Sequence, residues 1–195
     1  MYQFLICGFV GVFYLVWGVV LLRGKALLIS RRIDMLLPLL VLTAPIVNLI
    51  FDIPEFMPDS YTHTIIALIL GFFIIAVGLY IFFRGRYIVI NAKKPSVLAI
   101  IIGVLDEKSI NNKFEDDSIK ILDYDNSEIL VWGFANTFEV SLKGVRGLTF
   151  YKDLILSIKA KTKKIQERVF PVMGLLAIIV GALLVFISYK FYLVL

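Results

Sequence analysis

A single cysteine, Cys7, excludes an intrachain disulfide and any thiolate-based metal cluster. It lies in an apolar run, where a free thiol packs as a small hydrophobe. A single histidine, His63, leaves no Cys–His pair and no His-Glu-x-x-His motif for nucleophilic or zinc chemistry. The chain also lacks a glycine-rich phosphate loop and a Gly-x-Ser-x-Gly elbow. The first three residues carry no lysine or arginine, so the basic start of a secretory signal peptide is missing. Charged residues are missing from the interior of every long apolar run. Ion pathways and proton relays normally need such groups at depth. Basic residues interleaved with base-stacking aromatics are not evident, which argues against nucleic acid as a partner. These absences speak against an enzyme, a bound cofactor and an ion-coupled transporter.

What the chain has instead is apolar length. Residues 4–22, 35–51, 64–83 and 169–189 contain no charge. Each is long enough to cross the roughly 30 Å hydrocarbon core as a helix. A composition that is 60% hydrophobic lies outside the range of soluble domains. The remainder is one stretch of real size, residues 84–168, enough for one small domain.

Charge beside the runs reports orientation, because lysine and arginine concentrate on the cytoplasmic side. The first loop holds Arg23, Lys25, Arg31 and Arg32 against Asp34. The second holds Asp52, Glu55 and Asp59 and no basic residue. Arg84, Arg86, Lys93 and Lys94 follow the third run; Lys159, Lys161, Lys163, Lys164 and Arg168 precede the fourth. Every flank gives the same answer. Both termini lie outside and residues 84–168 lie in the cytoplasm. The same late cluster is a candidate contact for anionic lipid of the inner leaflet.

Within residues 84–168 the pattern predicts order β-α-β-β-β-α. Residues 86–91 read as a β-branched strand. Pro95 suits the first turn of a helix whose apolar stretch is 97–105. Packing inside the domain and lying on the membrane surface both remain open for it. Residues 111–117 read as a polar loop. Residues 118–124 and 128–134 form a hairpin around Asp125-Asn126-Ser127. Residues 138–144 alternate, with Phe138, Val140 and Leu142 on one face and Glu139, Ser141 and Lys143 on the other. Thr149 is the expected N-cap of a helix from 150 to about 166, which runs with little break into the fourth run. Trp132 is expected to anchor the core.

Two segments echo each other. Arg23-Gly24-Lys25-Ala26-Leu27-Leu28-Ile29-Ser30 follows the first run, and Arg84-Gly85-Arg86-Tyr87-Ile88-Val89-Ile90-Asn91 follows the third. A duplicated unit and two independent exits on the basic side are the competing readings. Glycines seven apart recur as Gly11 and Gly18, Gly71 and Gly78, and Gly174 and Gly181. Each pair lies on one helix face and allows close approach of a neighbouring helix, or of a second copy in a homodimer. Asp52, Glu55, Asp59 and His63 are candidate ligands for a divalent cation, although their spacing fits no calcium loop.

The sequence thus points to a bacterial plasma-membrane protein: an all-α bundle of four transmembrane helices carrying a small cytoplasmic α+β domain. The expected divisions are 1–83, 84–168 and 169–195. The expected role is non-enzymatic, with the domain contacting a protein partner as a sensor, accessory subunit or immunity-type factor. The alternative is a subunit of a small-molecule transporter or channel using Pro38, Pro45 and Asn48.

Overall fold

The computed structural model describes residues 2–35, 38–39, 62–124, 127–167 and 169–194, and places side chains at 7–35, 38–39, 66–124, 127–167 and 169–190. In chain order the elements are α1 (Tyr2–Leu22), β1 (Leu27–Ser30), α2 (Thr62–Phe82), β2 (Arg86–Ile90), α3 (Lys94–Glu107), β3 (Asn112–Glu115), β4 (Ser118–Ile121), β5 (Glu128–Phe134), β6 (Thr137–Ser141), α4 (Tyr151–Thr162) and α5 (Val172–Val194). Residues 31–35 are helical as well. The chain divides into two compact units: residues 19–31 with 84–175, and the described residues of 1–18, 32–83 and 176–195.

The first of these units is built on a sheet. Its six strands run in the order β1-β2-β6-β5-β4-β3, and every neighbouring pair is antiparallel. Strands β3 to β6 form a meander; β2 adds beside β6, and β1 beside β2. Period-two alternation decides which side chains point to the helices. Ile129 and Val131 of β5 and Phe138 and Val140 of β6 are buried in one core. Helix α3 adds Val97, Ile101, Val104 and Leu105, a stripe of helical period. Helix α4 adds Leu154 and Ile158 one turn apart. Residues 97–105 therefore pack within the domain.

Several expectations change. The fold is not an all-α bundle of four transmembrane helices with a β-α-β-β-β-α insert. A six-stranded antiparallel sheet organises it, and among the described residues one helix, Val172–Lys190, is long and apolar enough to cross a membrane. Cys7–Leu22 and Ile66–Phe82 are shorter apolar helices. Most of the expected span at 35–51 lies outside the described residues. The sheet gains β1 because Leu27–Ser30 offers a β-branched, apolar stretch whose backbone groups pair with β2. It gains β3 because the polar stretch 112–115 pairs with β4 through its main chain, whatever its side chains. Residue Thr149 caps nothing: α4 begins after Phe150, which makes no side-chain cap. Helix α4 ends at Thr162 and does not continue into α5.

The sequence echo has a structural counterpart. Gly24 and Gly85 both adopt left-handed backbone, at φ +68° and +81°, directly after helical runs. A glycine there ends a helix without Cβ strain. The strands that follow pair with each other, and Leu28 lies opposite Val89. Those two residues are equivalent in the echo. The ladder is therefore symmetric about that pair, since Leu27 meets Ile90 and its equivalent Ile88 meets Ile29.

In the other unit, α1 and α5 cross closely. A Cβ added at Gly11 would lie 2.9 Å from the Val185 nitrogen and 3.0 Å from the Gly181 oxygen. One added at Gly181 would lie 2.8 Å from both the Gly11 oxygen and the Leu15 nitrogen.

Candidate functional site

The structure brings some of the sequence candidates together and separates others. Asp52, Glu55 and Asp59 lie outside the described residues; His63 is in the first turn of α2, and its side chain is not described. Among the described residues no three His, Cys, Asp or Glu side chains gather around a point. Gly11 and Gly181 meet across α1 and α5, while among the described residues Gly71 and Gly78 have nothing within 4 Å of an added Cβ. Gly18 and Gly174 are buried. Of the basic cluster, Lys159, Lys163 and Lys164 are exposed and Lys161 is paired with Glu107 at 2.6 Å. Arg168 lies outside the described residues. Pro38 is exposed, whereas Pro45 and Asn48 lie outside the described residues.

The chemistry concentrates on the sheet face opposite α3 and α4. Register places Ile29, Ile88, Glu139 and Trp132 in one row across β1, β2, β6 and β5. Trp132 is thus on the face away from α3 and α4, half-buried, and outside the core cluster between sheet and helices. The reason is parity: Ile129 and Val131 take the helix side of β5, which sends Leu130 and Trp132 to the other. Glu139 accepts a hydrogen bond from Arg86 Nη1 at 3.2 Å and pairs with Arg31 Nε at 3.7 Å. The Arg86 guanidinium also lies 5.8 Å from the Trp132 ring centre, within cation–π range. Two guanidiniums around one carboxylate leave this centre cationic, and arginine keeps its charge at any physiological pH. The arrangement holds no nucleophile or titratable acid–base pair. It positions strands and presents charge.

One end of the sheet is a junction. Asn91, buried and left-handed at φ 61°, donates from Nδ2 to the carbonyls of Leu21 at 2.8 Å and Lys25 at 3.3 Å. The first of these is an end carbonyl of α1, which also accepts the Gly24 N–H at 3.1 Å. The Ala92 N–H donates to Asn136 O at 3.4 Å, and Asn136 Nδ2 donates to Phe170 O at 2.7 Å. The two-residue turn Ala135-Asn136 of the β5–β6 hairpin thus bridges the chain after β2, whose Asn91 holds the end of α1, and the chain before α5. Phe134, the last residue of β5, is 88% exposed there.

At the β3 end, Asp123 accepts hydrogen bonds from the Asn111 backbone N at 2.9 Å and from Asn111 Nδ2 at 2.8 Å. This ties down a loop that presents Leu122 and Tyr124, 61% and 40% exposed. The Tyr124 ring lies 5.8 Å from that of Phe150.

In the helical unit, a cavity of about 220 Å³ is lined by Met35, Leu39, Ala76, Val77, Phe83 and the Arg32–Tyr80 pair. Arg32 Nη1 donates to Tyr80 Oη at 3.2 Å, with the guanidinium carbon 4.3 Å above the ring.

Sequence reasoning found Glu139 on the polar face of its strand but not its two arginines. Arg31 and Arg86 lie 55 positions apart in the numbering, and only the β1–β2 pairing joins them. Nothing in the local pattern marked Phe134 or Asn91. No protein-family model matches this chain, and neither a curated protein nor a solved structure is similar to it.

Proposed function

We propose that this chain is a multi-pass integral protein of the plasma membrane, without catalytic activity, whose sheet domain lies in the cytoplasm and contacts a protein partner. A sensor, an accessory subunit and an immunity-type factor all fit that description. Membrane residence is supported by α1, α2 and α5, which expose Phe9, Val16, Phe73, Ile74, Ile81, Leu183 and Phe186. An apolar surface of that extent is not tolerated by a soluble monomer. The orientation rests on the basic flanks.

The observation that carries the partner reading is the Leu122–Tyr124 loop. Two exposed apolar side chains stand on a backbone held by Asp123 and Asn111. Pre-ordered apolar anchors lose little entropy when they bind, which is how interface hot spots work. The domain joins the apolar helices after Leu22, after Phe82 and before Val172. Occupancy of the loop would therefore bias helix packing. The cavity beside Arg32 is smaller than the roughly 300–1,000 Å³ usual for ligand pockets, so a small-molecule path is less well supported.

A photo-crosslinking amino acid at Leu122, in cells that make the protein, tests this reading. The expected result is one discrete crosslinked product that is absent when the same group replaces Leu156 on α4. A chain recovered alone in both cases, after mild detergent extraction, would count against it.

A further inference from the structure

The hairpin tip presents Phe134 away from the core. A phenylalanine that is 88% exposed at a two-residue turn contributes nothing to the core. Phe170 is 68% exposed, and its carbonyl accepts the Asn136 side chain of that same turn. Two residues later α5 begins, the helix whose stretch Val172–Lys190 is long enough to cross a membrane. On the turn's other side, Asn136 O accepts the Ala92 N–H, and the neighbouring Asn91 side chain donates to Leu21 O at the end of α1 and to Lys25 O beyond it. The turn is thus fixed between two points where apolar helix meets the domain. Lys25 and Lys93, beside Asn91 in space and in sequence respectively, are both exposed.

We propose that the β5–β6 turn is a membrane-docking tip: Phe134 and Phe170 enter the interfacial layer of the inner leaflet, and Lys25 and Lys93 face its anionic headgroups. The occupant is the lipid surface and not a protein, because the helices that bracket the tip bring it to the bilayer boundary. Exposed aromatics are favoured at that depth, and neighbouring lysines gain from the leaflet's negative surface potential. The docked tip would hold the Trp132 face of the sheet at a set distance from the membrane. The Arg31–Glu139–Arg86 centre would then lie beneath the headgroups, leaving the Leu122 loop free for the cytoplasm.

This inference rests on the membrane reading above, and the test separates the two. Trp17 and Trp132 are replaced by phenylalanine, and single tryptophans are introduced as Phe134→Trp, Leu183→Trp and Leu156→Trp. The full chain is reconstituted in vesicles of phosphatidylcholine and phosphatidylglycerol with brominated acyl chains. The expected result is quenching and a blue-shifted emission for F134W, strong quenching for L183W within α5, and none for L156W. An F134W signal as unquenched as that of L156W, beside a quenched L183W, overturns the docking tip and leaves membrane residence intact. An unquenched L183W overturns both. A second measurement keeps both native tryptophans: a spin label on Phe134→Cys in a Cys7→Ser background. Faster relaxation by oxygen than by a polar nickel complex is expected, and the reverse order overturns the proposal.

Discussion

Gly181 has no room for a methyl group. The atoms an added Cβ would meet at 2.8 Å are backbone, the Gly11 oxygen and the Leu15 nitrogen, and no rotamer change relieves them. Alanine there must push α1 and α5 apart and lose contacts along the whole crossing. Overpacking of this kind costs about 1–3 kcal/mol. Gly78, which sequence spacing places in the same class, has no described residue within 4 Å of an added Cβ. Alanine at Gly78 gains about 0.5–1 kcal/mol by restricting the unfolded chain. Thermal unfolding in detergent should thus show G181A melting below the native chain and G78A at or above it. Equal shifts would mean that the crossing is not where the glycines act. The spacing of seven made the helix face legible but could not tell an occupied face from an empty one. Helices that are apolar all round have no polar side to orient them. Trp132 failed for a related reason. The strand Glu-Ile-Leu-Val-Trp-Gly-Phe is apolar on both faces, so alternation alone could not say which face meets the helices.

Among the elements, the β3–β4 edge shows how a polar stretch becomes a strand. Glu115 is flanked by Lys113 Nζ at 2.8 Å and Lys120 Nζ at 2.5 Å. Hydrogen bonds from Lys113 first and Lys120 second lower its carboxyl from an ordinary 4.5 to about 2. Its bond with Glu115 raises Lys120 in turn. A depressed carboxylate contributes stability above its unfolded pKa and loses it as pH falls through the folded one. The contribution of Glu115 is therefore complete above about pH 4.5 and disappears toward pH 2. The groups are on the surface, so the effect is small and screened. A carboxyl-detected NMR titration at low salt should place the Glu115 midpoint well below the ordinary 4.5. At about 1 M salt, where the Debye length shrinks to roughly 3 Å, it should rise toward the ordinary value. A normal midpoint at low salt would sink the account. These charges also guard a free edge against pairing with another chain. Their polarity is why 112–115 read as a loop. Strand β1 is hidden differently: its residues stand in the echo with β2, and likeness between two segments carries no sign that they pair. The strands at 86–90 and 128–134 and the helix after Pro95 were legible, because β-branched runs and a proline at a first turn act locally.

For the whole molecule, the distribution of lysine and arginine is the property from which the proposed topology follows. Residues 23–32 and 84–94 carry eight basic residues on loops that leave α1 and α2. Moving them across a bilayer would carry every one of these charges through the hydrocarbon, at about 2.5–3.5 kcal/mol each even on the most lenient scale. The sheet strengthens the constraint. Strand β1, from the first of these loops, is paired with β2, from the second. Those two loops must therefore lie on the same side, and the sheet folds only if they do. Strand pairing requires only that the two loops share a side, and charge bias supplies the side in the proposed topology. In a Cys7→Ser background, Lys152→Cys on α4 should be reached by an impermeant maleimide only after cells are permeabilised. Lys190→Cys, at the far end of the Val172–Lys190 stretch, should be labelled in intact cells. If Lys152→Cys labels from outside, the domain is extracellular and the basic flanks have misreported the orientation. If neither position labels before permeabilisation but both do afterwards, α5 does not cross. Strand pairing alone would survive either result, since it requires only that the two loops share a side.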